Sequence, residues 1–246
     1  AWNKIKGLAL IGLGYLQARR LLRRLAPSVA VGFGGYPSLP TMWAATSARI
    51  PTIIHEQNAI LGRANRILAG RVDQIATSFT PKIVVTEKNC EKAILTGNPV
   101  RAAVKDIATR AYPRRESVNT PFNLLVFGGS QGARILSAVV PAAVAGLPTQ
   151  TRRLINVVQQ CRPEDIDRTR LSYEDASVKA ELKTFFKDMP HRLADAHLVI
   201  ARSGASTIAE ITTAGRPIIM VPYKRALDDH QTANARAISR ISGGWI

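Results

Sequence analysis

Acidic residues are scarce. The chain has 17 Asp and Glu against 34 Lys and Arg, a formal net charge of +17. That excess favours an anionic partner: nucleic acid, an anionic membrane or a phosphorylated ligand. Aromatics make up only 6% of the residues, and they do not interleave with the basic ones as on RNA-recognition or single-strand-binding surfaces. Nucleic acid is therefore not the expected partner. Cysteine is limited to Cys90 and Cys161, with no CxxC spacing. This fits a reducing compartment and carries no zinc signature. No apolar run reaches the roughly 18 residues that span a bilayer, and no signal-peptide pattern is visible. The first residue is Ala1, not methionine, and the chain stops at Gly243-Gly244-Trp245-Ile246, just after a predicted helix. It reads as an internal fragment lacking elements at both ends.

At 246 residues there is room for two modest domains or one large one. The organising stretch is Leu124–Arg134, LLVFGGSQGAR. Leu124 to Phe127 predict a short buried strand, Gly128-Gly129 a tight turn, and Ser130-Gln131 the start of a helix running to about Ala145. Strand, glycine turn and helix start in that order can hold an anion, because the first helical N–H groups are unpaired and carry partial positive charge. The same pattern also serves as a plain strand–helix connection. Two further loops of this kind occur. One is Gly34-Gly35-Tyr36-Pro37-Ser38, between a strand at 28–33 and a helix to about Arg49. The other is Arg202-Ser203-Gly204-Ala205-Ser206-Thr207, between a strand at 198–201 and a helix at 206–214.

Other elements follow the same alternation. Residues 3–25 predict a helix, with Ile5, Leu8, Ile11, Leu16 and Leu22 at helical spacing and Lys4, Lys6, Arg19, Arg20, Arg23 and Arg24 crowding it. It is either a core helix with a basic outer face or an interfacial segment resting on anionic lipid. Strands are expected at 51–55, 73–77, 92–96, 153–158, 181–186 and 218–221, and helices at 61–69, 189–194 and 228–240. The polar run 106–120 reads as a linker between domains at 1–105 and 121–246. Alternating strands and helices imply an α/β fold with two parallel-sheet, Rossmann-like domains facing a shared crevice. His55 and Glu56 end a strand, where polar residues face a ligand crevice, or else form a local hydrogen-bonded pair. Asp165-Ile166-Asp167 is a DxD sequence. It lies in a polar, helix-like stretch beside Pro163-Glu164, so no metal is expected there.

GFGGYPS at 32–38, HEQN at 55–58, GNPVR at 97–101, GGSQGAR at 128–134 and RSGASTIAE at 202–210 together resemble the MurG family of peptidoglycan N-acetylglucosaminyltransferases over nearly the whole chain. The resemblance implies a glycosyltransferase B fold. It also implies inverting transfer of N-acetylglucosamine from UDP-GlcNAc to undecaprenyl-pyrophosphoryl-muramyl pentapeptide, at the cytoplasmic face of the inner membrane, in cell-wall biogenesis. No cofactor or metal is implied. Residues that match the family's donor contacts are Asn58, Arg101, Ser130, the run Ala205, Ser206, Thr207, Ile208, Ala209 and Glu210, and Gln231; Phe186 falls where a backbone group meets the uracil. Gly34, Gly35, Tyr36 and Ser38, with Gly128, Gly129, Gln131 and Gly132, form the phosphate and acceptor loops.

The residue types suit such a role. Amides match the paired donor and acceptor pattern of sugar hydroxyls. A carboxylate at Glu210 can accept two ribose hydroxyls, or compensate the helix N-terminus. Arg101 can serve the donor or a linker ion pair. The family's proposed basic histidine would precede Ala1, leaving His55 and Glu56 as weak candidates for the general base, and the fragment alone is expected to be inactive. The family's His-Gln-Thr-Gly turn stands here as Gln159-Gln160-Cys161-Arg162, without its glycine. Two other readings are a diacylglycerol glycosyltransferase of the same fold, and a basic membrane- or nucleic-acid-binding module.

Overall fold

A computed structural model of the chain describes residues 2–129, 133–223 and 227–246. The chain divides into two compact units, Ala1–Asn98 and Pro99–Ile246. The first contains α1 (Trp2–Leu25), β1 (Ala30–Gly32), α2 (Ser38–Ser47), β2 (Thr52–Glu56), α3 (Arg63–Leu68), β3 (Gln74–Thr77), α4 (Pro81–Val84), α5 (Glu87–Cys90) and β4 (Ala93–Leu95). Its four strands are parallel in the order β1-β2-β3-β4. Parallel neighbours need a crossover each, and the intervening helices supply it. Met42, Ile54, Leu68 and Ile75 centre the core between sheet and helices.

α1 joins that core through Ala18 and Leu22, with Ile11 and Tyr15 packed alongside. The spacing 11, 15, 18, 22 follows one helical face, and Tyr15 meets Trp43 of α2 edge-on at 6.2 Å. Leu16, expected on the inward stripe, is exposed instead, as are Leu10, Leu13, Leu21 and Leu25. Leu16 lies five residues on from Ile11, roughly 140° round the helix, so both cannot face the core. The side chains of Ile5 and Leu8 lie outside the described residues.

The second unit contains α6 (Ala102–Lys105), β5 (Phe122–Phe127), α7 (Arg134–Ala145), α8 (Thr149–Arg152), β6 (Ile155–Gln160), α9 (Ile166–Asp175), β7 (Lys179–Lys183), α10 (Met189–Asp195), β8 (Leu198–Ala201), α11 (Ala205–Thr213), β9 (Ile218–Met220), α12 (His230–Arg240) and β10 (Gly244–Trp245). The six strands are parallel in the order β10-β9-β8-β5-β6-β7. Leu124 and Val126 pack with Leu136, Val140 and Tyr173. The alternate residues Leu125 and Phe127 are buried on the other face of the sheet. Both units are therefore Rossmann-like α/β layers, the composition of a glycosyltransferase B fold.

Several boundaries differ from the sequence reading. The helix expected to open at Ser130-Gln131 starts at Arg134, because Ala133 is still in extended backbone, and the strand expected at 153–158 is Ile155–Gln160. Residues 99–120 belong to the second unit rather than to a first domain and a linker. Val104 and Ile107 are buried, the Tyr112 hydroxyl donates to the His197 carbonyl at 2.9 Å, and α6 packs on α11. The strand expected at 181–186 starts at Lys179 and ends at Lys183, because its register against β6 runs from Asn156↔Lys179 to Gln160↔Lys183. Gly244, read as chain end, lies in an edge strand beside β9. A Cβ there would stand 2.6 Å from the Ile218 carbonyl oxygen, so the close pairing requires glycine.

Candidate functional site

The chain order of the second sheet reverses at β5. From β5 it proceeds to β6 and β7, then returns to β8 on the other side of β5 and continues to β9 and β10. Phe127 and Ala201, the last residues of β5 and β8, are register partners. The loops that follow them leave the carboxyl edge side by side, at the topological switch point where open α/β sheets bind ligands. After β5, Gly129 turns with φ +85°, a conformation open to glycine and costly for most residues. Ser130, Gln131 and Gly132 lie outside the described residues. After β8, Gly204 caps α11 in extended backbone. The helix's first internal bond runs from Ile208 N–H to the Gly204 carbonyl at 2.9 Å. The N–H groups of Ala205, Ser206 and Thr207 precede it and form the electropositive first turn. Ile208 is buried, so its side chain belongs to the core.

Glu210 lies on the next turn of α11. Its Oε1 accepts from Arg101 Nε at 2.7 Å and its Oε2 from Arg101 Nη2 at 2.8 Å. The pair raises the Arg101 value above the ordinary guanidinium range, chiefly through this hydrogen bonding. Gln231, on the first turn of α12, is held nearby: its Oε1 accepts from Tyr223 N–H at 3.0 Å and its carbonyl from the Ser203 hydroxyl at 2.8 Å. Phe186 lies in the loop after β7, with its ring buried under the Arg192 guanidinium at 4.4 Å. Arg192 in turn donates to both oxygens of Glu181, at 2.6 and 2.9 Å, and holds that carboxyl below the usual range.

In the first unit the carboxyl edge carries Gly34 and Gly35, which turn with φ of 81° and 74°. Ser38 Oγ donates to the Gly35 carbonyl at 3.1 Å, and Tyr36 is exposed. Beside this turn, Gln57 Nε2 donates to the Phe33 carbonyl at 3.1 Å. His55 is buried with both ring nitrogens engaged: Nε2 meets the Gly97 carbonyl at 2.9 Å, and Nδ1 meets Gln57 Nε2 at 3.1 Å. Carbonyl on one side and amide N–H on the other select Nε2 as the donor and Nδ1 as the acceptor. Glu56 is 2% exposed. Its Oε1 accepts from Asn58 N–H and Asn58 Nδ2 at 3.0 and 3.1 Å, its Oε2 from Gly62 N–H and Asn65 Nδ2 at 2.9 and 2.8 Å. Both residues act here as hydrogen-bond hubs, and Glu56 sets the orientation of Asn58.

Two other sequence features have local roles. Asp165 of the DxD sequence is buried, accepting from Arg162 and Arg168 at 2.9 and 3.0 Å. At Gln159–Arg162 the backbone needs no glycine: β6 runs to Gln160, Cys161 N–H bonds the Lys183 carbonyl at 3.0 Å, and Arg162 is extended at φ −71°. An apolar hollow of about 1060 Å³ lies elsewhere in the second unit, among Leu124, Val140, Leu147, Leu198 and Ile219. Arg115, Asn119, Gln150, Thr151 and Arg153 share its lining.

Residues 123–246 match the glycosyltransferase family 28 C-terminal domain, and residues 1–77 its N-terminal domain. The chain belongs to glycosyltransferase family 28. Two curated family 28 relatives carry the name UDP-N-acetylglucosamine–N-acetylmuramyl-(pentapeptide) pyrophosphoryl-undecaprenol N-acetylglucosamine transferase. The one from Paramagnetospirillum magneticum is 55% identical over 96% of this chain and 63% of its own length. That from Rhodospirillum centenum is 51% identical over 96% of this chain and 62% of its own. The chain thus spans less than two thirds of these relatives. A crystal structure of Acinetobacter baumannii MurG superposes with a TM-score of 0.78 at 32% identity, covering 94% of this chain and 64% of that one. A UDP-GlcNAc 2-epimerase from Neisseria meningitidis, 13% identical with a TM-score of 0.58 over 87% of this chain and 64% of that one, shares the fold.

Sequence reasoning missed Asn234 of this family 28 edge, and it had Arg202 and Ser203 in the loop without their side-chain roles. Asn234 of α12 is fully buried and donates from Nδ2 to the Ser203 carbonyl at 3.1 Å. Ser203, also fully buried, returns a bond to α12 through the Gln231 carbonyl. Arg202 Nη1 bridges the Val221 and Pro222 carbonyls, both at 2.9 Å, and stacks over Tyr223. The three tie the starts of α11 and α12 to the end of β9. A polar side chain four residues into a helix, at a position the apolar pattern assigns inward, was the available signal for Asn234.

Proposed function

We propose that this chain supplies the donor-binding and acceptor-side units of a transferase that moves N-acetylglucosamine from UDP-GlcNAc to undecaprenyl-pyrophosphoryl-muramyl pentapeptide. The observation that carries the reading is Glu210, which places a carboxylate one turn beyond the first-turn amides of α11 at the β5/β8 switch point. The named relatives and the MurG structure point the same way. As the glycosidic bond breaks with inversion, negative charge grows on the departing β-phosphate. The N–H groups of Ala205, Ser206 and Thr207 are dipoles already aimed for it, and a metal ion is not required. Glu210 accepts the two ribose hydroxyls. The Phe186 backbone meets the uracil, and the amide of Gln231 holds the sugar. The glycine turn Gly128-Gly129 at the same edge serves the phosphates. His55 and Glu56, with their polar atoms committed, shape the acceptor-side edge, and the base that takes the acceptor proton is a different group.

α1 presents Leu10, Leu13 and Leu16 beside exposed Arg19, Arg20, Arg23 and Arg24. Among the described residues no helix is long and apolar enough to cross a membrane. We assign α1 to peripheral contact with the anionic surface of the inner leaflet, where the lipid-linked acceptor lies.

Calorimetric titration with UDP tests the site. Saturable binding is expected, and Glu210→Ala should weaken it at least about tenfold. Salt-sensitive binding of anions without nucleotide preference would instead favour a basic binding module. Offering UDP-GlcNAc and UDP-glucose to the full-length protein separates the peptidoglycan reaction from diacylglycerol glycosylation.

A further inference from the structure

We propose that Arg192 is a positioning residue for base recognition: it fixes the loop after β7 so that the Phe186 N–H distinguishes a uracil from a cytosine. The inference rests on the Phe186 contact to uracil in the function proposed above. The strands of the second sheet are all parallel. Residues 184–188 therefore leave the same carboxyl edge as the loops after β5 and β8. The entrance of this loop is tied to β6. Cys161 N–H donates to the Lys183 carbonyl at 3.0 Å, and Gln160 Nε2 to the Thr184 carbonyl at 3.1 Å. Its exit is held by one side chain of α10. Arg192 donates from Nη1 and Nη2 to the two oxygens of Glu181 on β7, and from Nε to Asp188 Oδ2 at 3.0 Å. Asp188 is the N-cap residue of α10, yet its side chain caps no N–H of that helix; the carboxylate turns to Arg192 instead. The same guanidinium lies over the Phe186 ring, 4.4 Å from its centroid. One planar group thus joins the strand before the loop, the helix after it and the buried ring at its middle. The Arg192 side chain is 17% exposed, so this is more than a solvated surface pair. A guanidinium serves two carboxylates and a ring face at once, whereas an ammonium, a point charge, does not.

Among the described residues no group accepts from the Phe186 N–H. A donor there suits the 4-oxo group of uracil. Cytosine carries an amino group at that position, so donor would meet donor. The discrimination requires the N–H to stay where the oxygen will lie. A loop free to shift by about 1 Å evades the amine and loses the oxygen, and the two bases become equivalent.

The test titrates UDP and CDP into the 246-residue chain, wild type and variants, by calorimetry. Wild type is expected to prefer UDP by about tenfold. In Arg192→Gln the preference should fall to about twofold or less, and Arg192→Lys, which keeps the charge without the fork, should not restore it. A role confined to stability would lower both affinities alike and leave their ratio at the wild-type value. A ratio unchanged in Arg192→Gln, or restored by Arg192→Lys, overturns the proposal. Should Arg192→Gln lose its cooperative melting transition, Arg192→Lys carries the test alone, and a wild-type ratio there overturns it. A wild type that binds both nucleotides saturably and equally removes the Phe186 contact to the base, and the proposal with it, yet leaves the phosphate and ribose site standing.

Discussion

Replacing Glu56 with glutamine separates a hydrogen-bond hub from a general base. Four donors converge on the carboxylate, two on each oxygen. A glutamine keeps one oxygen and sets an NH₂ against the other pair of donors. It therefore loses two charge-assisted bonds in a site 2% exposed. Such bonds contribute about 1.5–3 kcal/mol each, so the gross loss is about 3–6 kcal/mol. The expected net cost is the lower end of that range, about 3 kcal/mol. For a unit of this size each kcal/mol lowers the melting midpoint by about 4–8 °C. Differential scanning calorimetry should show the first unit's transition lowered by at least about 10 °C in Glu56→Gln. A fall of less than about 4 °C would refute the hub argument. Lost turnover at an unchanged melting point in the full-length enzyme would return Glu56 to the list of candidate bases.

Three further outcomes are expected. His197 is buried, and burial followed by the positive charges of Arg115 and Arg216 pushes its ring below the ordinary imidazole value. Its neutral Nδ1 accepts from Asn123 N–H at 2.9 Å. Because the unfolded chain takes up this proton first as pH falls, the contribution is complete above about 6.5 and is lost as pH drops toward the folded value. The melting point should fall between pH 7.5 and 5.5, and less so in His197→Asn; equal slopes would reject the assignment. Asn234→Ala should cost about 1–3 kcal/mol in urea denaturation by stripping the Ser203 carbonyl of a buried donor, and a change below about 0.5 kcal/mol would show that the contact is incidental. Replacing Leu10, Leu13 and Leu16 with serine should lower association with anionic vesicles at least about tenfold, whereas unchanged partitioning would remove α1 from the membrane contact.

The parallel α/β class, the turns at Gly34-Gly35 and at Ser203-Gly204 and most element positions were legible in the sequence, because they depend on local chemistry. Apolar runs of strand length, glycine after a strand and a small residue before a helix each act within a few residues of chain. Hydrophobic periodicity likewise showed that residues 3–25 form a helix. It did not show which side faces inward, since Leu16 and Ile11 differ in angle and only the position of α2 selects between them. The polar composition of 106–120 hid its attachment to the second unit, which rests on Val104, Ile107 and Tyr112 meeting surfaces that come from residues nearly a hundred positions on. Motif order identified Arg101 and Glu210 separately, and their pairing across 109 residues was decided by α6 packing on α11. The same holds for Glu56, whose carboxylate could have been free or saturated on sequence grounds. Local backbone preferences are written residue by residue, whereas the company a polar side chain keeps depends on which distant segments the packed core brings beside it.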